Sequence, residues 1–241
     1  MKYALLILML FVIAGCGSHL SPRETRTQNY SAFILSLYEN PRPAAQTTAL
    51  TAPMKVAVAQ VGEIAPPQLL LDHLRQRGEL FSRVEGIPGV FEELSDCNNQ
   101  GGLTPTERQQ VRDRVARLQR LTQDLGMDYL FIYGGSIDHY VRENPLQVLD
   151  LTIIGAFVVP SREVRAIGKA AGALIDVRSG AVVFITSADT EKTGLASAST
   201  QDGKQLKVLE DTRESLHLRL ADQLTTRCKE VALTRAMPLG N

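Results

Sequence analysis

Leu149-Asp150-Leu151-Thr152-Ile153-Ile154-Gly155-Ala156-Phe157-Val158-Val159-Pro160 is followed by Ala170-Ala171-Gly172-Ala173-Leu174-Ile175-Asp176-Val177-Arg178-Ser179-Gly180, and then by Ala181-Val182-Val183-Phe184-Ile185-Thr186-Ser187. The first run is β-branched and aromatic and stops at a proline. The second meets the third across Arg178-Ser179-Gly180, a tight turn whose glycine can take positive φ. Three successive strands make an antiparallel meander. Leu149, Leu151 and Ile153 share one face, as do Ala171, Ala173, Ile175 and Val177, so the sheet has a buried side that helices must cover.

Upstream, the chain alternates strand and helix. Residues 54–61, Met-Lys-Val-Ala-Val-Ala-Gln-Val, read as a buried first strand, and Pro66-Pro67 opens a helix carrying Leu69, Leu70, Leu71 and Leu74 that stops at Gly78. Residues 80–87 form a second strand, and residues 88–103, rich in Gly and Asn, a surface loop that holds Cys97 and the pair Glu92-Glu93. Thr104-Pro105-Thr106-Glu107 supplies an N-cap, a first-turn proline and a capping-box carboxylate. The helix it starts has an apolar stripe of Val111, Val115, Leu118, Leu121 and Leu125, and Gly126 ends it. A strand over residues 128–133 follows, and a right-handed crossover would lay it beside residues 55–61. Residues 134–146 are expected to be a polar connection and 188–203 a long loop. A last helix spans residues 204–231, with Leu209, Leu216, Leu220, Leu224 and Val231 on one stripe and Cys228 beside it. The fold class is therefore α/β (α+β), a single mixed sheet with a C-terminal antiparallel meander packed against three or four helices.

The N-terminus places this domain in a cell. Lys2, an apolar run over residues 3–13 and Ile13-Ala14-Gly15-Cys16 form a lipobox. The run is too short to cross a bilayer, which needs roughly 20 apolar residues. Residues 1–15 are expected to be a lipoprotein signal peptide and Cys16 the lipidated residue, carrying diacylglycerol and a further acyl chain such as palmitate. Gly17, in place of the Asp that retains lipoproteins in the inner membrane, directs the expectation to the outer membrane, periplasmic face. Residues 16–53 form a lipidated tether interrupted by a short helix over 30–38 with Tyr30, Phe33, Ile34, Leu37 and Tyr38 at helical spacing. Two readings of that helix stand: it docks on the domain, or Tyr30, Phe33, Leu37 and Tyr38 bind a partner. The periplasmic domain runs over 54–232 and a frayed tail over 233–241.

Charge and composition exclude more than they identify. The 26 basic and 26 acidic residues cancel, and Arg108, Arg112, Arg114, Arg117 and Arg120 read as a solvated helix face, so nucleic acid is not an expected partner. Four histidines, His19, His73, His139 and His217, make no metal spacing, and His73 and His217 are expected at the surface. Neither metal nor cofactor is expected. Ser136, Asp138 and His139 are the residues an envelope hydrolase would use, yet Gly134-Gly135 does not frame the serine as a nucleophile elbow. The expectation is thus no catalytic residue, with that hydrolase as the second reading. Lipidation of Cys16 would leave Cys97 and Cys228 in an oxidising compartment, where they are expected to form a disulfide. A membrane-spanning hairpin is not expected, because residues 149–159 alone are long and apolar enough and both their faces are apolar.

In the order of its elements the chain resembles the rhombotarget-type bacterial lipoproteins, most specifically at Asn29-Tyr30-Ser31, Leu37-Tyr38, residues 151–160 and Ala173-Leu174-Ile175-Asp176-Val177. More loosely, Gly126-Met127-Asp128-Tyr129-Leu130 followed by Asp176-Val177-Arg178-Ser179-Gly180 is similar to the periplasmic domain of the curli secretion channel lipoprotein, the penicillin-binding-protein activator lipoproteins and the N-terminal domain of the Tol-Pal translocation protein. The resemblance implies binding and assembly work at the envelope, with an envelope protein as partner and no catalytic residues. Leu239-Gly240-Asn241 departs from the hydrophobic, basic-ended tail that the resemblance would call for, which leaves rhomboid-type processing open.

Overall fold

A computed structural model of the chain describes residues 50–89, 104–144 and 159–236. In these, β1 (Met54–Gln60), α1 (Gln68–Arg75), β2 (Phe81–Gly86), α2 (Pro105–Asp124), β3 (Tyr129–Glu143), β4 (Arg162–Asp176), β5 (Val182–Ala196) and α3 (Gln201–Ala236) build one five-stranded mixed sheet of order β2-β1-β3-β4-β5. β2 and β3 each run parallel to β1, and β4 runs antiparallel to both of its neighbours, β3 and β5. Parallel neighbours need crossovers, and α1 and α2 provide them on opposite faces of the sheet.

Each face has its own core. Val56, Val58, Phe131, Tyr133 and Leu174 pack with Leu70, Leu71 and Leu74 of α1 and with Leu216, Leu220 and Leu224 of α3. On the other face, Ala57, Ala59, Leu130, Ile132, Ala173 and Ile175 meet Val111, Val115 and Leu118 of α2. Alternation along β1 and β3 sends successive side chains to the two helical layers. A third cluster, Val164, Ala166, Ala196 and Val208, fastens the start of α3 to the far end of the meander.

The meander is present, but its first strand is β3. Of the stretch 149–159 expected in that role, residues 149–158 lie outside the described residues. β3 pairs directly with β4 from Tyr129 opposite Asp176 to Glu143 opposite Arg162, so residues 134–143 are strand and not a polar connection. β5 reaches Ala196, and only a short turn separates it from α3. There the Ser197 and Thr200 hydroxyls lie 2.9 Å apart and the Lys204 N–H donates to the Thr200 carbonyl at 3.0 Å. The long loop expected at 188–203 is therefore mostly strand and helix. β3, β4 and β5 are each 15 residues long.

Both helix-ending and turn glycines take the predicted left-handed conformation, Gly126 at φ 68° and Gly180 at φ 70°. Asp176, buried, accepts from the Arg178 and Ser179 N–H groups at 2.8 and 3.2 Å and so shapes the β4–β5 turn. On α2, Leu121 and Leu125 are more than a third exposed, contrary to the predicted stripe. Thr122 is the inward residue one turn after Leu118, whose carbonyl takes its hydroxyl hydrogen at 2.7 Å. The closing helix runs to Ala236, beyond the expected start of the frayed tail at residue 233.

Candidate functional site

β1 stops at Gln60, opposite Tyr133, whereas β3 continues to Glu143. The sheet therefore has a step on the β1 side of β3. It coincides with the point where the connections leaving β1 and entering β3 go to opposite faces, and in sheets of this kind a crevice opens beyond the carboxyl ends of such strands. A cavity of about 440 Å³ occupies the step, within the range of small-molecule sites. Gln60, Val61 and Glu63 line it from the end of β1 and its turn, Tyr133, Gly135, Ile137 and His139 from β3, and Leu209, Arg213, Leu216 and His217 from α3. Gly135 keeps the β3 wall low, since an added Cβ would sit 3.0 Å from the Lys169 carbonyl oxygen and 3.1 Å from Ala170 Cβ.

Two rings form the inner wall. The Tyr133 hydroxyl donates to Gln60 Oε1 at 2.7 Å, and its ring meets His217 edge-on with centroids 6.1 Å apart. Burial pushes the Tyr133 phenol well above its ordinary range, and the Glu63 carboxylate adds to this. Burial also pushes His217 down to about 4, helped by the positive charge of Arg213. At neutral pH the wall is therefore an uncharged phenol against an uncharged imidazole.

That depression has a stability consequence. Unfolded His217 titrates near 6.5 and the folded residue near 4. Between these values the unfolded chain binds the extra proton, so the contribution is complete above pH ~6.5 and is lost as pH falls toward ~4, by up to about 3 kcal/mol. Urea midpoints measured from pH 7 to 4 should fall less steeply for His217→Gln than for the native protein. Parallel profiles for the two would show that His217 is not the titrating group.

The sequence had placed His217 at the surface, but it is buried. The reason is the breadth of the buried face of α3, where Leu216, His217, Leu220, Ala221 and Leu224 are all covered. His73 instead bridges helices, its Nε2 lying 2.8 Å from Asp222 Oδ1 on α3. Ser136, Asp138 and His139 fall on one continuous strand, whose alternation sends Ser136 and Asp138 to the face opposite His139. Ser136 and His139 both border the cavity but from opposite faces of the strand, and Asp138 does not line it, so the three side chains form no one constellation. Among the described residues no group of three or more His, Cys, Asp or Glu side chains could hold a metal ion.

Cys228 carries a free thiol buried in the core, and burial pushes its pKa up to about 12. Its expected partner Cys97 lies outside the described residues, as do Cys16, Tyr30, Phe33, Leu37, Tyr38, Glu92 and Glu93. Glu63 and Arg213, which give the cavity its charge, were not singled out from the sequence. No local pattern marks them, because the chain between them closes around β3 and α3 before they meet one cavity.

No family model matches the chain, and no curated protein matches it. It is similar to the solved structure of a minor lipoprotein from Acinetobacter baumannii, at 9% identity and a TM-score of 0.38, covering 78% of this chain and 98% of that one. It is similar to a lipoprotein from Neisseria meningitidis at 15% identity and a TM-score of 0.30, covering 65% and 96% of the two chains. The PelC dodecamer from Paraburkholderia phytofirmans is also similar, at 17% identity and a TM-score of 0.30, with coverage of 71% and 91%.

Proposed function

We propose that this chain is a bacterial envelope lipoprotein, anchored through Cys16 at the periplasmic face of the outer membrane, whose domain is a non-catalytic binding module. The observation that supports binding is the cavity at the β1–β3 step. It combines apolar walls with a few convergent polar groups, the composition expected of a recognition site. Asp138 does not line the cavity that Ser136 and His139 border, and the strand alternation turns Ser136 away from His139, which argues against the hydrolase reading. The lipobox supports anchoring, and no described helix is long and apolar enough to cross a membrane. In this reading the 30–38 segment, with Tyr30, Phe33, Leu37 and Tyr38, remains available to an envelope protein partner.

Anchoring has a direct test. Cys16→Ala should move the protein from the outer-membrane fraction to the soluble periplasmic fraction, or leave an unprocessed precursor. A variant that still fractionates with outer membrane would remove the lipid anchor from this account.

A further inference from the structure

Where β3 outruns β1 it leaves a strand edge open. The Val61 N–H donates to the Tyr133 carbonyl at 2.8 Å, so the backbone groups of Tyr133 point toward β1. Alternation along β3 then points those of Gly135, Ile137 and Val141 the same way, past the end of β1, while the residues between them face β4. The Asn144 N–H keeps this phase, donating to the Ser161 carbonyl on the β4 side. Among the described residues no strand pairs with Gly135, Ile137 and Val141 on the open side. The cavity lies along this edge and not against one face of the strand, because Gly135 and Ile137 line it from the α3 face and Ser136 from the opposite one. The walls around the edge are largely aliphatic, with Val61, Pro67, Ala170, Leu209 and Leu216.

We infer that the site takes an extended peptide segment of a partner protein, which adds to β3 as a strand beyond the end of β1 and turns two aliphatic side chains, two residues apart, into the cavity. This names the ligand class for the binding reading above and rests on it. The open edge offers N–H and C=O groups at every second residue, and an extended backbone is the ligand that answers both at that spacing. From Gly135 to Val141 the open row covers roughly 20 Å of strand, longer than a small molecule seated in the cavity would reach. Side chains of the added strand alternate between faces, so residues i and i+2 turn together toward α3 and the aliphatic wall, and the 440 Å³ space leaves room for both. The partner is a separate chain because the described chain begins and ends at the other end of the sheet. Leu50 precedes the start of β1, where the Met54 N–H donates to the Leu80 carbonyl, and near the end of α3 Lys229 lies 3.7 Å from Glu79. The step at Gln60 is thus turned away from both.

The test uses purified full-length protein in detergent and isothermal titration with the blocked heptapeptide acetyl-Lys-Thr-Leu-Thr-Leu-Thr-Lys-amide. Its isomer acetyl-Lys-Thr-Leu-Leu-Thr-Thr-Lys-amide, which sends the leucines to opposite faces, should bind at least about tenfold more weakly. In the heptapeptide, methylating the backbone nitrogens of the leucines and, separately, of the threonines should give unlike results, one set abolishing binding and the other changing it by less than about threefold. Ile137→Pro removes an N–H that the β3–β4 ladder does not use, and it should weaken binding at least about tenfold with unchanged circular dichroism; if that variant fails to fold, the methylated pair decides alone. Equal effects of the two methylations, equal affinity for the isomer, or equal affinity for acetyl-leucine amide would overturn strand addition while leaving the cavity a binding site. No heat with any probe up to about 10 mM would overturn both.

Discussion

Gly172→Val should cost the domain about 3 kcal/mol, toward the upper end of what overpacking a core does. Gly172 stands opposite Tyr133 in the β3–β4 pair. A Cβ there would lie 2.5 and 2.6 Å from Phe131 ring carbons and 2.9 Å from Tyr133 Cβ. Phe131 is fully buried and stacked on Tyr133 with centroids 5.7 Å apart, so the ring has nowhere to retreat. Gly172→Ala should cost less, about 2 kcal/mol. Combining it with Phe131→Leu should recover part of the loss, because the leucine withdraws the atoms that clash. Urea unfolding of the four proteins gives the coupling; strictly additive costs would mean the strand had moved aside.

Phe131→Ala is expected to be the most damaging single truncation, at about 3–5 kcal/mol. The ring has no exposed surface and belongs to the larger core together with the leucines of α1 and α3. Removing it leaves a void against Gly172, which has no side chain to fill it. Against a typical domain stability of roughly 5–15 kcal/mol, this is a large fraction of the whole. The midpoint of urea unfolding should drop accordingly with little change in slope. A cost below about 1 kcal/mol would contradict the packing described here.

The parallel half of the fold was legible because its signals are local. Thr104-Pro105-Thr106-Glu107 and Gly126 bracket α2, Pro66-Pro67 opens α1, and the apolar runs at 54–61 and 128–133 pair as a right-handed crossover requires. The far half of the meander was not. On β5 the inward positions Ala188, Thr190, Gly194 and Ala196 are small because α3 lies close against them, which leaves too weak a hydrophobic alternation to separate strand from loop. On β3, Gly134-Gly135 interrupts the pattern just before Ile137 and Val141 resume it on the α3 face. Losing that extension meant losing the step in the sheet, and with it the cavity. His217 was misplaced for a related reason: a helix that covers two strands and reaches a third buries a wider face than a single stripe predicts.

The central claim is that the β1–β3 step is where this protein meets its ligand. Amide chemical shifts of the ¹⁵N-labelled full-length protein, followed during titration with the blocked heptapeptide and with acetyl-leucine amide, test it residue by residue. The expected shifts cluster at Gln60, Val61, Glu63, Gly135, Arg213 and His217 for at least one of the two probes. Shifts confined to the α2 face of the sheet, or none at saturating probe, would contradict it.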